Sequence, residues 1–443
     1  MPKYQPPRGT RDFMPWEMVR RQYMFKVINK TFEKFGFAPL ETPSFESWEL
    51  LGAKGGGGEA IKDEIYYFKD KGGRGMGLRF DFTASLARVV ASNPQLAKPF
   101  KRYQIGPVWR YDNPQAGRFR EFWQADIDIA GSRSMAADAE CIAALASCLK
   151  DLGFKDFVIR LNSRKLLNGL VEAAGINDKK APSVFRSLDK LEKQGQHAVE
   201  KELKKSGATA KQIEKIMGMI SISGQPKEAM PKARQATEGF MDAKQGLDDL
   251  EEIVELSKAY GTAGMITIDL SLVRGLDYYT GPIFEIKSIS KKGSSVGNIA
   301  GGGRYDNLIE LYGGQPTPAT GGSLGVERIF EIMLEEGMFA GIPKEKTLVF
   351  VAAAMNTPAM KKFAIQTSQK LRQQGIATET DVMGRKLKKG LEYADSKGIP
   401  YMIIIGEKEI KSGKMTLKDL RSGEQRLRTL KSIVVAVRKY QKQ

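Results

Sequence analysis

Arginines and carboxylates, set among few other reactive groups, are what this chain offers for chemistry. Its 443 residues hold one histidine, His197, and two cysteines, Cys141 and Cys148. A single histidine excludes Ser-His-Asp catalysis and multi-histidine metal sites. His197 sits in a charged stretch, 190–205, and reads as a solvated surface residue. The cysteines lie seven apart in a helical-looking stretch, which separates their Cα atoms by about 10 Å, too far for a disulfide. They read as buried thiols. No G-x-x-x-x-G-K-[ST] run occurs, so a nucleotide would not be held by a P-loop. Arginine, carboxylate and tyrosine must carry whatever chemistry there is.

Their positions define candidate surfaces. Residues 102–112 and 120–130 read as two strands joined by a short loop. Alternate strand residues share a face. In the second strand Trp123, Ala125, Ile127 and Ile129 point one way, and Phe122, Gln124, Asp126 and Asp128 the other. In the first, Arg102, Gln104, Arg110 and Asp112 oppose an apolar set. Aspartate is a poor strand former, and aspartates at i and i+2 repel. A substrate-facing floor is therefore at least as good a reading as an ordinary solvated face. The loop presents Arg118, whose planar fork suits phosphate. Upstream, 78–83 reads as a further strand with Asp81 and Thr83 on one face, able to receive an ammonium. Thr83 also reads as a helix N-cap.

Gly301-Gly302-Gly303 makes an ordinary strand unexpected over 299–306, and implies backbone passing close to a ligand or another segment. Residues 320–328 run from glycines into a helix with Val326, Ile329, Phe330, Met333 and Leu334 as its buried stripe. Arg328 falls in its first turn, where a cation opposes the helix dipole unless an anion sits there.

The elements that must position these groups follow from periodicity. Residues 16–35 read as an amphipathic helix, with Val19, Tyr23, Val27, Phe32 and Phe35 on its apolar face. Four glycines at 55–58 read as a mobile loop. Residues 165–255 are helical and lysine-rich, an apparent insertion. From 347 on, strands alternate with helices, as in a small α/β domain with a parallel or mixed sheet. Residues 346–443 hold 21 lysines and arginines against 8 acidic residues, so net +13 of the chain's +18 lies there. Charge so concentrated points to a polyanion partner. No apolar run approaches a membrane span, no secretory signal core opens the chain, and the expected compartment is the cytoplasm.

Taken together, these segments resemble a class II aminoacyl-tRNA synthetase. Val108-Trp109-Arg110-Tyr111-Asp112 through Arg120-Glu121-Phe122 is similar to the second motif of that class, and Gly325-Val326-Glu327-Arg328 to the third. Leu272-Val273-Arg274-Gly275-Leu276-Asp277-Tyr278-Tyr279-Thr280 and Gly301-Gly302-Gly303-Arg304-Tyr305-Asp306 resemble the two segments peculiar to histidyl-tRNA synthetases. The opening Arg8-Gly9-Thr10-Arg11-Asp12-Phe13 looks like their usual start, and 394–400 like their anticodon-binding domain. The likeness spans nearly the whole chain, least clearly the insertion.

The resemblance implies an α+β fold: an antiparallel sheet flanked by helices over 1–164 and 256–340, a helical insertion at 165–255, and an α/β anticodon-binding domain at 346–443. It implies ATP as substrate with accompanying Mg2+, no protein metal site, L-histidine, tRNA(His) bound through the basic C-terminal domain, and a homodimer whose first motif lies near 39–43. Arg110 and Arg274 would face the α-phosphate as catalytic cations and also contact histidine. Arg118, Phe122 and Arg328 would hold ATP. Asp81, Thr83 and Gln124 would take the amino acid's backbone groups, and Asp128 and Tyr279, with Tyr278 beside them, the imidazole. Asp81, Asp112 and Asp128 stand where many relatives carry glutamate, which looks like the archaeal and eukaryotic form. Two rival readings are a non-catalytic regulatory paralogue and an RNA-sensing module; either would be expected to lose the arginines or the C-terminal domain, and this chain keeps both.

Overall fold

The computed structural model describes residues 4–52, 63–113, 118–177, 180–273, 278–290 and 296–441. The chain forms two compact units, residues 1–12 with 24–338, and residues 13–23 with 339–443. The segment 165–255 falls inside the first unit.

The strands in chain order are β1 (Ala38–Pro39), β2 (Phe45–Ser47), β3 (Tyr67–Lys69), β4 (Gly75–Leu78), β5 (Phe100–Trp109), β6 (Glu121–Ala130), β7 (Phe157–Ser163), β8 (Ser223–Gly224), β9 (Ile266–Asp269), β10 (Pro282–Ser288), β11 (Asn298–Arg304) and β12 (Ala319–Gly325) in the first unit. The second holds β13 (Val349–Ala353), β14 (Thr378–Thr380), β15 (Tyr401–Ile405), β16 (Met415–Asp419) and β17 (Gln425–Arg428).

Nine strands of the first unit make one sheet, ordered β1-β5-β6-β12-β11-β10-β7-β9-β8. Its centre, from β5 to β7, is antiparallel throughout. Strands β2, β4 and β3 form a small separate sheet. Against one face of the large sheet packs the helix Met135–Asp151, whose Cys141, Leu145 and Cys148 are wholly buried. Both thiols are free, as their spacing implied. Burial raises the pKa of both, so they stay protonated.

Three local expectations are corrected. The helix Pro15–Lys34 buries Met24, Ile28 and Phe32, about one residue round from the expected stripe. That i, i+4, i+8 row brings Phe32 edge-on to Phe37 and tilted against Tyr103, with ring centroids 6.4 and 5.8 Å apart. The helix Val326–Glu335 buries Ile332 where Leu334 was expected, and Leu334 is exposed. Finally, 298–304 is a central strand despite its three glycines. A Cβ at Gly302 would lie 2.0 Å from Gly321 O and 2.8 Å from Phe284 Cζ, so the glycine allows β11 to pair within a crowded layer. The glycine loop at 55–58 lies outside the described residues.

In the second unit five strands are ordered β14-β13-β15-β16-β17. β14, β13 and β15 are parallel, and β16 and β17 antiparallel. This is the expected mixed α/β arrangement, with the edge strand β17 and the short helix Glu407–Ser412 added. Val349, Val351 and Ile403 pack one way against the helices Pro358–Gln373 and Leu430–Gln441. Phe350, Ala352 and Met402 pack the other way against Leu387–Lys397. None of the described lysines and arginines of 346–441 is buried.

Candidate active site

The alternation of β5 and β6 turns one sheet face into the floor of a cavity of about 680 Å³. Ala125, Ile127 and Ile129 enter the core, while Phe122, Gln124, Asp126 and Asp128 line the cavity. Arg102 lies directly across from Asp128 in the β5/β6 ladder. Its Nη2 is 2.5 Å from Asp128 Oδ2. The arginine is fully buried and its nitrogens find no directed hydrogen-bond acceptor among the described residues, so the contact acts chiefly as a Coulombic pair.

One end of the cavity is acidic and phenolic. Asp81 and Thr83 line it, but not from the expected strand face. β4 ends at Leu78, and Thr83 opens the helix Thr83–Ser92. Phe82 is the N-cap residue, so Thr83 is not the cap. Asp81 instead accepts the Thr83 N–H at 2.9 Å, satisfying a free donor of the first turn. Tyr278 hydrogen-bonds with Thr83 and with Tyr279, and burial pushes its hydroxyl pKa well up. Its ring lies 4.7 Å from that of Tyr279 and 5.7 Å, edge-on, from that of Tyr305. Tyr305 donates its hydroxyl proton to Asp128 Oδ1.

A second set of lining residues is cationic. The Arg110 guanidinium sits 4.1 Å from the Phe80 ring centroid and 5.2 Å from that of Phe122. Its Nε donates to Phe80 O at 3.3 Å. Burial lowers its pKa, and Asp81 works against that. Arg328 donates from Nη1 to Asn298 O at 2.6 Å. Burial lowers its pKa first, then the charges of Arg118 and Arg110. Arg118 has only Asp112, at 4.0 Å, as an ion-pair partner among the described residues. Three arginines lining one cavity, two of which disfavour the charge of the third, form a site for a polyanion. The Arg328 helix offers its N-terminal dipole to the same anion.

Ten of the eleven expected site residues thus line one cavity: Asp81, Thr83, Arg110, Arg118, Phe122, Gln124, Asp128, Tyr278, Tyr279 and Arg328. Arg274, the eleventh, lies outside the described residues. Several lining residues carried no expected role. Tyr305 stood inside a quoted motif, and its hydroxyl was the available signal. Asp126 stood on the predicted polar face; burial pushes its carboxyl up to about 7, with Arg102 opposing and Asp128 reinforcing the rise. Leu188, Asp189, Leu191 and Glu192 come from the helical segment, which no local pattern could reveal. Glu192 ties that segment down, 2.9 Å from Lys287 and 3.4 Å from Arg160.

An antiparallel sheet with a floor of this kind, three arginines in the cavity wall and no P-loop, defines a class II aminoacyl-tRNA synthetase. The Histidyl-tRNA synthetase family model matches residues 9–329, and an anticodon binding domain matches residues 347–440. The chain is 40% identical over 420 residues to the histidine–tRNA ligase of Thermococcus kodakarensis, covering 95% of this chain and 94% of that one. It is 39% identical to that of Pyrococcus horikoshii, covering 97% and 98%. The structure of histidyl-tRNA synthetase from Nostoc sp. PCC 7120 superposes with a TM-score of 0.83 at 31% identity, covering 99% of this chain and 100% of that one. The chain belongs to the histidyl-tRNA synthetase family. The archaeal relatives agree with the form that the pocket aspartates implied.

Proposed function

We propose that this cavity holds ATP and L-histidine end to end, makes histidyl-adenylate and pyrophosphate, and passes histidine to the 3'-terminal ribose of tRNA(His). The observation that carries this is the lining of one cavity, where Asp81, Asp128 and the tyrosines stand with the cations Arg118 and Arg328, and Arg110 acts on Asp81 and Tyr278 as well as on Arg328. In the first step a carboxylate oxygen of histidine bonds to the α-phosphorus while the bond to the leaving pyrophosphate breaks. Negative charge grows on the α-phosphoryl oxygens. Arg110, pinned between Phe80 and Phe122, is a cation already in place, and Arg274 is assigned to the opposite side. Such preorganised charge needs no covalent enzyme intermediate.

Phe122 is assigned to adenine, and Arg118 and Arg328 to the outer phosphates. Asp81, Thr83 and Gln124 take the ammonium end. Asp128 and Tyr279 take the imidazole, which has one donor and one acceptor when neutral. Asp128 already receives the Tyr305 proton, but a carboxylate has about four acceptor positions and can take another. A site pairing both ring nitrogens rejects side chains lacking them. Magnesium arriving with ATP keeps phosphate and water ligands and needs only one or two carboxylates. Glu285, which lines the cavity near Arg328, fits that need. No cluster of three possible metal ligands stands among the described residues.

The domain reading follows: catalytic 1–164 and 256–340, insertion 165–255, and anticodon binding through the basic 346–443, in a homodimeric, cytoplasmic enzyme. No described helix is long and apolar enough to cross a membrane. The test is ATP–pyrophosphate exchange with each of the twenty amino acids. Only histidine is expected to support it, and exchange with another amino acid alone overturns the assignment. Arg274→Ala is expected to abolish exchange while leaving tRNA affinity nearly intact; full exchange in that variant sinks the arginine mechanism.

A further inference from the structure

We propose that Arg102 is a positioning residue for substrate recognition: its fixed charge, set against Asp128 from the neighbouring strand, holds that carboxylate as an acceptor only, so that the ligand ring must present an N–H to it. The inference rests on the reading that Asp128 meets the imidazole.

Strand register creates the arrangement. β6 lies between β5 and β12, and Asp128 stands directly across from Arg102 on one side and from Gly321 on the other. Directly opposed residues share a face, with Cβ atoms about 4.5–5.5 Å apart, so these two neighbours decide what the carboxylate meets. On the Gly321 side no side chain fits, because a Cβ there would lie 2.0 Å from Asp128 Oδ1. That oxygen accepts the Tyr305 hydroxyl proton instead. On the other side Arg102 Nη2 is 2.5 Å from Asp128 Oδ2. The nearby carboxylate of Asp126 stands across from Gln104, which carries no charge. Register therefore gives the arginine to Asp128.

Arg102 is not a tie between segments. Arg79 and Arg304 are similarly buried, and both donate to backbone carbonyls. Arg79 reaches Pro107 O and Thr42 O at 2.9 and 2.7 Å, and Arg304 reaches Ser132 O and Ser134 O at 2.9 and 3.1 Å. Arg102 is fully buried, yet its nitrogens make no directed hydrogen bond among the described residues. Burying a guanidinium in that way costs folding energy. What it supplies is charge, which a guanidinium keeps in proteins. A cation against Oδ2 favours the ionised carboxylate. Other titratable groups that feel Asp128 are Asp126, the phenol of Tyr305 and, from the helix Met135–Asp151, the thiol of Cys141. Burial raises the pKa of each, which keeps the phenol and the thiol neutral. Arg102 is the cation set against them.

An ionised carboxylate only accepts, whereas a protonated one can donate. Without Arg102, Asp128 would share a buried wall with Asp126 and take up a proton. It could then serve a ring that brings only acceptors. With Arg102 in place such a ring leaves two acceptors facing each other and is rejected. Arg102 itself needs to touch neither the substrate nor the reacting atoms.

The experiment is ATP–pyrophosphate exchange with histidine and with two thiazolylalanine isomers, whose ring nitrogen takes one or the other imidazole nitrogen position and can only accept. Wild type is read first. No exchange with histidine overturns the histidine assignment, and the proposal with it. Exchange with histidine is expected, with kcat/KM at least about a hundredfold lower for both thiazoles. Equal use of a thiazole leaves the histidine assignment standing and overturns the demand for an N–H. In Arg102→Met the preference for histidine over one of the thiazoles should fall about tenfold or more, the worth of one directed bond to a charged group. The loss should lie in KM for histidine, with kcat within about threefold of wild type. Arg102→Gln, which has no charge, should show the same fall. Arg102→Lys, which keeps the charge, should hold the preference within about threefold of wild type. A ratio between two substrates does not depend on how much of a variant is folded. Should Arg102→Met not fold, the glutamine and lysine variants carry the comparison. An unchanged preference in Arg102→Gln, or an equal fall in Arg102→Gln and Arg102→Lys, overturns the proposal.

Discussion

The nine-stranded sheet buries Arg102, Asp126, Asp128 and Arg304, while the five-stranded sheet buries apolar side chains on both faces and leaves its lysines and arginines outside. The two units thus use charge for different ends. In the first, ions are taken out of water at a cost that only good partners or a ligand offset. In the second, the charges stay in water, where they can act at long range, and contribute little to folding. The contrast separates a sheet that floors a cavity with charge from a sheet that is a scaffold for its surface. It can be broken by measurement, because the same kind of substitution should behave differently in each.

The largest difference should appear at Asp138. Its side chain, 2% exposed, meets the Arg304 side chain, 3% exposed, and accepts the Thr320 hydroxyl at 2.8 Å. Arg304 also donates to Ser132 O at 2.9 Å and Ser134 O at 3.1 Å, so the pair stitches β11 to the start of the helix Met135–Asp151. Asp138→Ala leaves a buried guanidinium short of its main counter-charge. A loss of about 3–5 kcal/mol in unfolding free energy is expected, measured by denaturant titration. A loss below about 1 kcal/mol would place this pair with the surface ones and erase the contrast.

A smaller effect, of opposite sign in the two units, concerns pH. Asp126 has a folded-state value raised from 3.8 to about 7, because burial disfavours its charge. Between those values the folded state binds more proton than the unfolded state, so this group's contribution falls as pH rises from about 4 to 7. In the second unit, Asp419 is held below its usual range, first by the Arg421 side chain. Its contribution is present above 3.8 and is lost as pH falls through the depressed value. Asp126→Asn removes the first dependence. The variant should gain on the wild type by up to roughly 1.4 kcal/mol per pH unit across that window. A difference that stays flat from pH 4 to 7 would show that Asp126 ionises freely in the unliganded protein.

How much of this was legible in the sequence follows the same division. Two-residue alternation exposed Asp126 and Asp128 on a common face with Gln124, because a strand's geometry is local and strict. The second unit's alternating strands and helices were legible for the same reason. What escaped was set by partners distant in sequence. The glycines of β11 looked like strand breakers because the crowding by Gly321 and Phe284 that requires them lies elsewhere in the chain. Thr83 is the exception, since the residue that takes the capping duty, Asp81, lies only two positions before it and the local pairing was passed over. Tyr305 became a pocket residue only by meeting Asp128, 177 positions away. Glu192 belongs to the cavity only because Lys287 and Arg160 hold it there.

The smallest predicted effect completes the comparison from the other side. Lys397 is the best-partnered lysine of the second unit, 2.9 Å from Glu379 and 3.3 Å from Glu345, with its ammonium 5.5 Å from the Tyr393 ring centroid. By count of partners it rivals Arg304. Its side chain is nonetheless 33% exposed, against 3% for Arg304. Water screens the pair, and losing it returns the carboxylates to solvent instead of stranding them. Its folded pKa is raised, chiefly by Glu379, so its contribution is fully present below the unfolded value of 10.5 and fades only as pH rises through the folded one. Lys397→Ala should therefore cost no more than about 1 kcal/mol, show no trend between pH 5 and 9, and shrink with added salt. A cost that matched Asp138→Ala, and that salt left untouched, would mean that partner number and not burial sets the worth of an ion pair in this protein. The distinction drawn between the two sheets would then have to be given up.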